Sequence, residues 1–463
     1  MAAQLELSRW VMGSVVAVLC LVVGVAAGVQ PELAIAASFA IAFVIVAIAN
    51  LVWGLYLFTF LAFLEIVPFG GQAVSFSKLL GLLLFLSWLM VMTADRSPRI
   101  DRAVVQPAAV LLAALLGWTL LSATWAEEPA GAFEAVYRYA LNAGYFIIVV
   151  TAIRTREHAV GMVIAFIVGA AIAAVYGLVT PSQFESDFGR IESAALDPNE
   201  LSAVLVPALS LCMFAAFGLR GHPALRLSAI AVAAISVTTI LFTVSRGGLI
   251  ALVAMMVAAI VVGGRWRLPI AIATATLAMG GYIYFAGFAS EDAVDHLQST
   301  TQGDQRVAEG RYTIWQVGWR MAEGNPVRGV GGGNFEVSSR HYLLQPGDTP
   351  RSDLIIDKPL VAHNTYLETL VELGVVGLAA FLGLIGFCFA AALRAAAAFK
   401  RLHDTQMELL ARGLVAALAG ILVADFFISE QFSKALWLLL GMGPALYIVA
   451  RREAETSPPS KIG

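Results

Sequence analysis

The chain has 463 residues, of which 59% are hydrophobic and only 13% charged. A soluble domain carries about 25% charged residues, so a water-soluble globular fold is excluded. Twenty-nine Lys and Arg against 32 Asp and Glu give a net charge of −3, which says little because charge position matters more than its sum; no nucleic-acid-binding motif is present.

Uninterrupted apolar runs near the length that crosses a hydrocarbon core predict an all-α polytopic membrane protein of about 14 transmembrane helices (12–14). In chain order they cover 9–30, 32–49, 51–67, 76–94, 104–124, 132–153, 157–179, 199–219, 225–243, 246–263, 268–287, 364–393, 408–428 and 431–450. The first run, with Glu6 and Arg9 at its start and no small-residue cleavage site, reads as a retained helix and not a cleaved signal. Asn50 is the weakest division, since the runs on either side could form one bent helix. Cys20, Cys212 and Cys388 all fall inside apolar runs and read as buried thiols, not as a disulfide or metal set.

Basic residues test the count. They gather at Arg9, Arg96/Arg99/Arg102, Arg154/Arg156, Arg220/Arg226, Arg265/Arg267, Arg394/Lys400/Arg401 and Arg451/Arg452. With fourteen spans every group falls on one side, which the positive-inside rule makes cytoplasmic. Both termini are then inside. The expected organisation is an N-terminal bundle over 1–287 (about 11 spans), a large outer loop over 288–362, three further spans over 363–450 and a cytoplasmic tail over 451–463. The loop of about 75 residues is expected to carry short amphipathic helices. One large extramembrane segment on a chain with otherwise short loops fits an enzyme working at a membrane face better than a transporter, whose polar groups concentrate near the midplane.

Several outer residues are candidates for chemistry. Loop 181–198 carries Arg190, a possible phosphate or sugar contact, and ends in Asp197-Pro198-Asn199-Glu200, where Asp197 or Asn199 could cap the next helix. Arg246 stands in Ser245-Arg246-Gly247-Gly248, a hairpin with almost no loop. A guanidinium there either snorkels to the interface or is fixed toward an anion, and its planar fork suits phosphate. In the large loop, Arg311, Trp315 and Trp319 fall four apart and share one helical face. Their helix is expected to lie flat on the outer leaflet, with Arg311 near headgroups and the tryptophans as interfacial anchors. Gly329-Val330-Gly331-Gly332-Gly333 could cradle phosphate through backbone N–H groups, although a flexible turn is the favoured reading.

His363 opens the span that follows. Asn364, Glu368 and Glu372 repeat every four residues behind it as a polar stripe. The partial positive charge of a helix N-terminus keeps such an imidazole neutral near pH 7, ready to act as a general base. A capping or hydrogen-bonded interface histidine is the plainer alternative. His341 lacks such context and reads as structural. Zinc spacing, a paired-carboxylate pattern and a nucleophile elbow are absent, so neither cofactor nor metal is expected.

Ser245-Arg246-Gly247-Gly248, Gly310-Arg311-Tyr312-x-x-Trp315, Gly331-x-Gly333-Asn334-Phe335 and His363-Asn364-Thr365-Tyr366-Leu367-Glu368, in that order, resemble the bacterial O-antigen ligase and O-antigen polymerase superfamily. The resemblance covers about 240–390. It implies a metal-independent, inverting glycosyltransferase of the bacterial inner membrane with its active site facing the periplasm. The donor would be a glycan on undecaprenyl diphosphate, and the acceptor lipid A–core or a second lipid-linked glycan. Carried over by position, Arg246 and Arg311 would bind the donor diphosphate and His363 would deprotonate the acceptor hydroxyl. Trp315, Asn364 and Glu368 would line the substrate site. The competing class is a polysaccharide or lipid transporter.

Overall fold

The computed structural model describes residues 31–63, 76–93, 101–179, 196–287, 305–343 and 361–456. The chain divides at Pro98 into two units, each compact by itself. The first contains α1 (Pro31–Ala49), α2 (Leu51–Phe63) and α3 (Phe76–Thr93). Asn50 separates α1 from α2: its side chain accepts the Val52 and Trp53 N–H groups, and the chain folds sharply enough to bring Gly54 against Ala47. Two helices therefore occupy the run that one bent helix could have filled.

The second unit holds α4 (Arg102–Ser122), α5 (Pro129–Ala152), α6 (Arg156–Val179), α7 (Pro198–Gly218), α8 (Pro223–Phe242) and α9 (Arg246–Val262). After a 3-10 turn at Gly264–Trp266 come α10 (Arg267–Gly287), α11 (Gln305–Gly324), α12 (Phe335–Leu343), α13 (Thr365–Arg401), α14 (Thr405–Ala424) and α15 (Lys434–Thr456). Each expected span from 32–49 onward coincides with a helix; the first, 9–30, lies outside the described residues. Nine helices among the described residues are long and apolar enough to cross a membrane, and three apolar helices are shorter. The protein is an all-helical polytopic membrane protein.

Lipid tails are as apolar as leucine, so close packing must hold such a bundle together. Its tightest group is α7, α9 and α14. Small residues permit the approach: Gly413 sits on Phe214, Gly420 on Val206 and Met255, and the Ser210 hydroxyl donates to the Gly413 carbonyl at 2.9 Å. Cys212 on α7 and Cys388 on α13 are free and buried, as expected; Cys20 lies outside the described residues.

The helix ends sort by charge. One end of the second unit gathers Arg154, Arg156, Arg265, Arg401, Arg412 and Arg451, with Arg156 paired to Asp404 at 2.8 Å and Arg451 to Asp101 at 3.4 Å. The other end gathers the N-termini of α5, α7, α9, α13 and α15 with α11 and α12.

At that second end the extramembrane segment is sewn to α13. This 37-residue helix breaks at Gly374, whose φ of 65° belongs to glycine. Val330 N–H donates to Val371 O, Gly331 N–H to Glu372 O and Val375 N–H to Pro326 O, each at 2.9 Å. The apolar face of α11 (Ile314, Val317, Met321) closes a small core with Val330, Phe335, Ala362 and Val371. The apolar stripe of α11 is thus spent on protein, not lipid, and Trp319 is left 56% exposed.

Candidate functional site

Three turns converge at this end. The first joins α8 to α9. Val244 has a φ of 48°, a strained conformation for a β-branched residue. Ser245 then caps α9: its hydroxyl accepts the Gly248 N–H at 3.0 Å and donates to Asn199 Oδ1 at 2.8 Å. Gly247 packs on the Phe427 ring and Gly248 on Ser202, where any side chain would collide. Arg246, half-buried in the first turn of α9, has its backbone fixed on three sides.

The second turn starts α7. Asp197 accepts the N–H groups of Asn199 and Glu200 at 2.6 and 2.9 Å, while Glu200 reaches back to the Asp197 N–H. This is the capping box that Asp-Pro-Asn-Glu predicts.

The third turn carries His363, whose φ of 47° is also in the left-handed region. Such a residue costs on the order of 1–3 kcal/mol unless its surroundings hold it. Here they do. The Ala362 N–H donates to Glu368 Oε2 at 3.1 Å, and the Ala362 carbonyl accepts the Trp315 indole N–H at 2.9 Å. On the other side Asn364 caps α13 by accepting the Tyr366 and Leu367 N–H groups, both at 3.0 Å. Thr365 N–H bonds the carbonyls of Asp425 and Ile428. Glu368 is itself held by Ser429 and by Gln431 Nε2. Asn364, Glu368 and Trp315 therefore position His363 through the backbone on either side of it.

Electrostatics link the three turns. Burial lowers the pKa of His363 below the ordinary imidazole value, the Arg311 charge lowers it further, and Asp197 opposes them. Arg311, half-buried on α11, has its pKa lowered by burial, raised by Asp197 and lowered by Arg246. Two guanidinium groups, one carboxylate and one neutral imidazole thus share a single charge environment. The sequence places His363 at a helix N-terminus; the folded chain adds burial and Arg311 as the main causes of its neutrality. Arg190 lies outside the described residues.

Two residues carry more than sequence reasoning assigned them. Asp197 was legible as a cap, but its charge also acts on His363 and Arg311. The carboxylate of Glu372, apparently one of a polar stripe, accepts the Phe335 N–H at 3.4 Å and also the Gly333 N–H. The glycine run is correspondingly neither a phosphate cradle nor a flexible turn. Gly332 N–H donates to Ser122 Oγ, and its neighbours serve α13, so these N–H groups face inward. Among the described residues no group of His, Cys, Asp and Glu is arranged to hold a metal ion.

The Asp197 contact gives a sign. Asp197→Asn keeps a good helix cap but removes the charge that raises the His363 pKa. The acid limb of the pH–rate profile, already below pH ~6.5 for a depressed imidazole, should move to lower pH. A profile of kcat/KM against pH for both proteins checks this, and an unmoved or upward-shifted limb would contradict it.

No curated protein matches the chain significantly. Residues 231–382, from the second half of α8 to the middle of α13, match the family model described as O-antigen ligase. That stretch, about a third of the chain, contains Arg246, Arg311, Trp315, His363, Asn364 and Glu368, and over it the chain is similar to the O-antigen ligase family.

Proposed function

We propose that the protein transfers a glycan from an undecaprenyl-diphosphate carrier to an acceptor hydroxyl at the periplasmic face of the bacterial inner membrane, with lipid A–core as acceptor. The observation that carries this reading is the convergence of Arg246 from the α8–α9 turn, Arg311 from α11 and His363 from the turn before α13, at the bundle end free of the large arginine group. Neutral His363 accepts the proton of the acceptor hydroxyl as its oxygen attacks the anomeric carbon. The bond from that carbon to the diphosphate breaks, and the electron pair leaves with the lipid diphosphate. Attack opposite the leaving group inverts the anomeric centre. Arg246 and Arg311 meet the negative charge that grows on the diphosphate, and fixed donors in a partly dry site are most effective there. Trp315, Asn364 and Glu368 hold the base in register. The arginine-rich end faces the cytoplasm.

The test is transfer by purified protein in detergent with EDTA, given an undecaprenyl-diphosphate glycan and either lipid A–core or a second lipid-linked repeat unit. Product on lipid A–core supports the ligase reading. Product only on the second repeat unit makes the protein a polymerase. No product from folded protein with either acceptor removes both of these acceptors and favours a protein hydroxyl as acceptor, or transport.

A further inference from the structure

The second unit also holds a concavity that the proposed transfer does not use. Its walls are the turn between α4 and α5 (Trp125, Glu127) and one face of α12 (Ser338, His341, Tyr342), and its floor is Gly329–Val330. The cavity measures about 420 Å³, within the ~300–1,000 Å³ usual for small-ligand clefts.

Its lining is built, not incidental. Glu127 Oε1 meets His341 Nε2 at 2.8 Å and Glu127 Oε2 accepts the Ser338 hydroxyl at 3.0 Å. The His341 hydrogen bond holds the Glu127 carboxyl below its ordinary pKa, so it presents a charged acceptor. Asn325 Nδ2 donates to the Tyr342 hydroxyl at 2.8 Å. Trp125 leans on Trp118 at 5.6 Å, and its indole N–H is buried with no hydrogen-bond partner among the described residues. Arg328 adds an exposed guanidinium at the rim.

The chemistry is that of a sugar. A pyranose has a C–H face that packs on an aromatic ring and a rim of hydroxyls that donate to a carboxylate and accept from amide or indole N–H groups. Trp125 and Tyr342 supply rings; Glu127 and Asn325 supply the polar partners. Val330 of the floor donates to the Val371 carbonyl, and Val371 lies about 12 Å along the chain from His363 at the helical rise. That separation is short for a glycan chain and too long for chemistry. We infer that this cavity is a sugar-binding subsite for a residue of the glycan chain some units from the transfer point. This inference rests on the glycan-transfer reading above.

The probe is the water-soluble polysaccharide released by mild acid from the producing bacterium's own lipopolysaccharide, titrated into full-length protein in nanodiscs. Binding should be retained in His363→Ala and weakened at least tenfold in Trp125→Ala and in Glu127→Gln. Trp125→Phe, which keeps a ring but lacks the N–H, should fall between and guards against misfolding of the alanine variant. In transfer assays the same pocket variants should raise KM for the glycan with kcat unchanged. Absent binding, or binding indifferent to these substitutions, overturns the subsite whatever the transfer assay gives. Pocket-dependent binding by a wild-type protein that transfers nothing leaves the subsite standing and removes the reaction proposed for His363.

Discussion

Replacing His363 with alanine is expected to lower transfer by about 10²–10⁴-fold, the usual contribution of a general base, while leaving insertion and folding intact. The second half of that expectation follows from where the turn is held. Among the described residues the hydrogen bonds of the turn run through Ala362, Asn364 and Thr365, and none through the imidazole. Alanine inherits the strained φ of 47° but disturbs no hydrogen bond of the turn. The loss should fall on kcat, since the proton moves only as the acceptor oxygen attacks. Turnover at saturating donor and acceptor, with a melting curve on the same preparation, separates the two quantities. A variant that melts as wild type yet turns over at half its rate would remove His363 from the chemistry.

Arg246→Ala and Arg311→Ala should each cost about 10²–10³-fold in kcat, the scale for deleting one fixed donor to developing charge. Lysine should restore only part of the rate, because a point charge cannot reproduce two parallel N–H bonds to phosphate. The two arginines share one charge environment, so the double variant should lose less than the product of the single losses. Alanine suits the first turn of α9 and the surface of α11 as a helix former, so folding should survive. Steady-state rates for both single variants, the lysine pair and the double variant make the comparison. Full turnover in either alanine variant would detach that residue from the diphosphate.

The helices were legible because membrane-length apolar runs leave little choice of structure. Ends were readable where a local motif set them, as with Asp197-Pro198-Asn199-Glu200. Partners distant in sequence were not readable. Glu368 and Glu372 recur at helical spacing, which looks like a polar face; folded, they accept N–H groups from Ala362 and Phe335. The glycine run advertises positive φ, and Gly329, Gly331 and Gly333 do have φ of 71°, 111° and 65°. Nothing local reveals that Gly331 lies against Ala126 and Gly333 against Gly131. The charge of Asp197 on His363 is equally non-local. The amphipathic period of α11 correctly marked a face to be buried, but periodicity does not say whether lipid or protein buries it.

The stitching between the extramembrane segment and α13 is made by main-chain atoms, and this shapes which mutations the segment can absorb. Val327 and Arg328 are exposed and hold nothing with their side chains in that seam. Their identities are free to drift, and with them the chemistry of the nearby rim. The glycines are not free: a Cβ at 329 or 374 would meet the backbone of the opposing strand of the seam. Proline at 330, 331 or 375 would delete a donor outright. An evolving lineage can therefore vary the surface it shows to different glycans while the frame beneath it stays fixed.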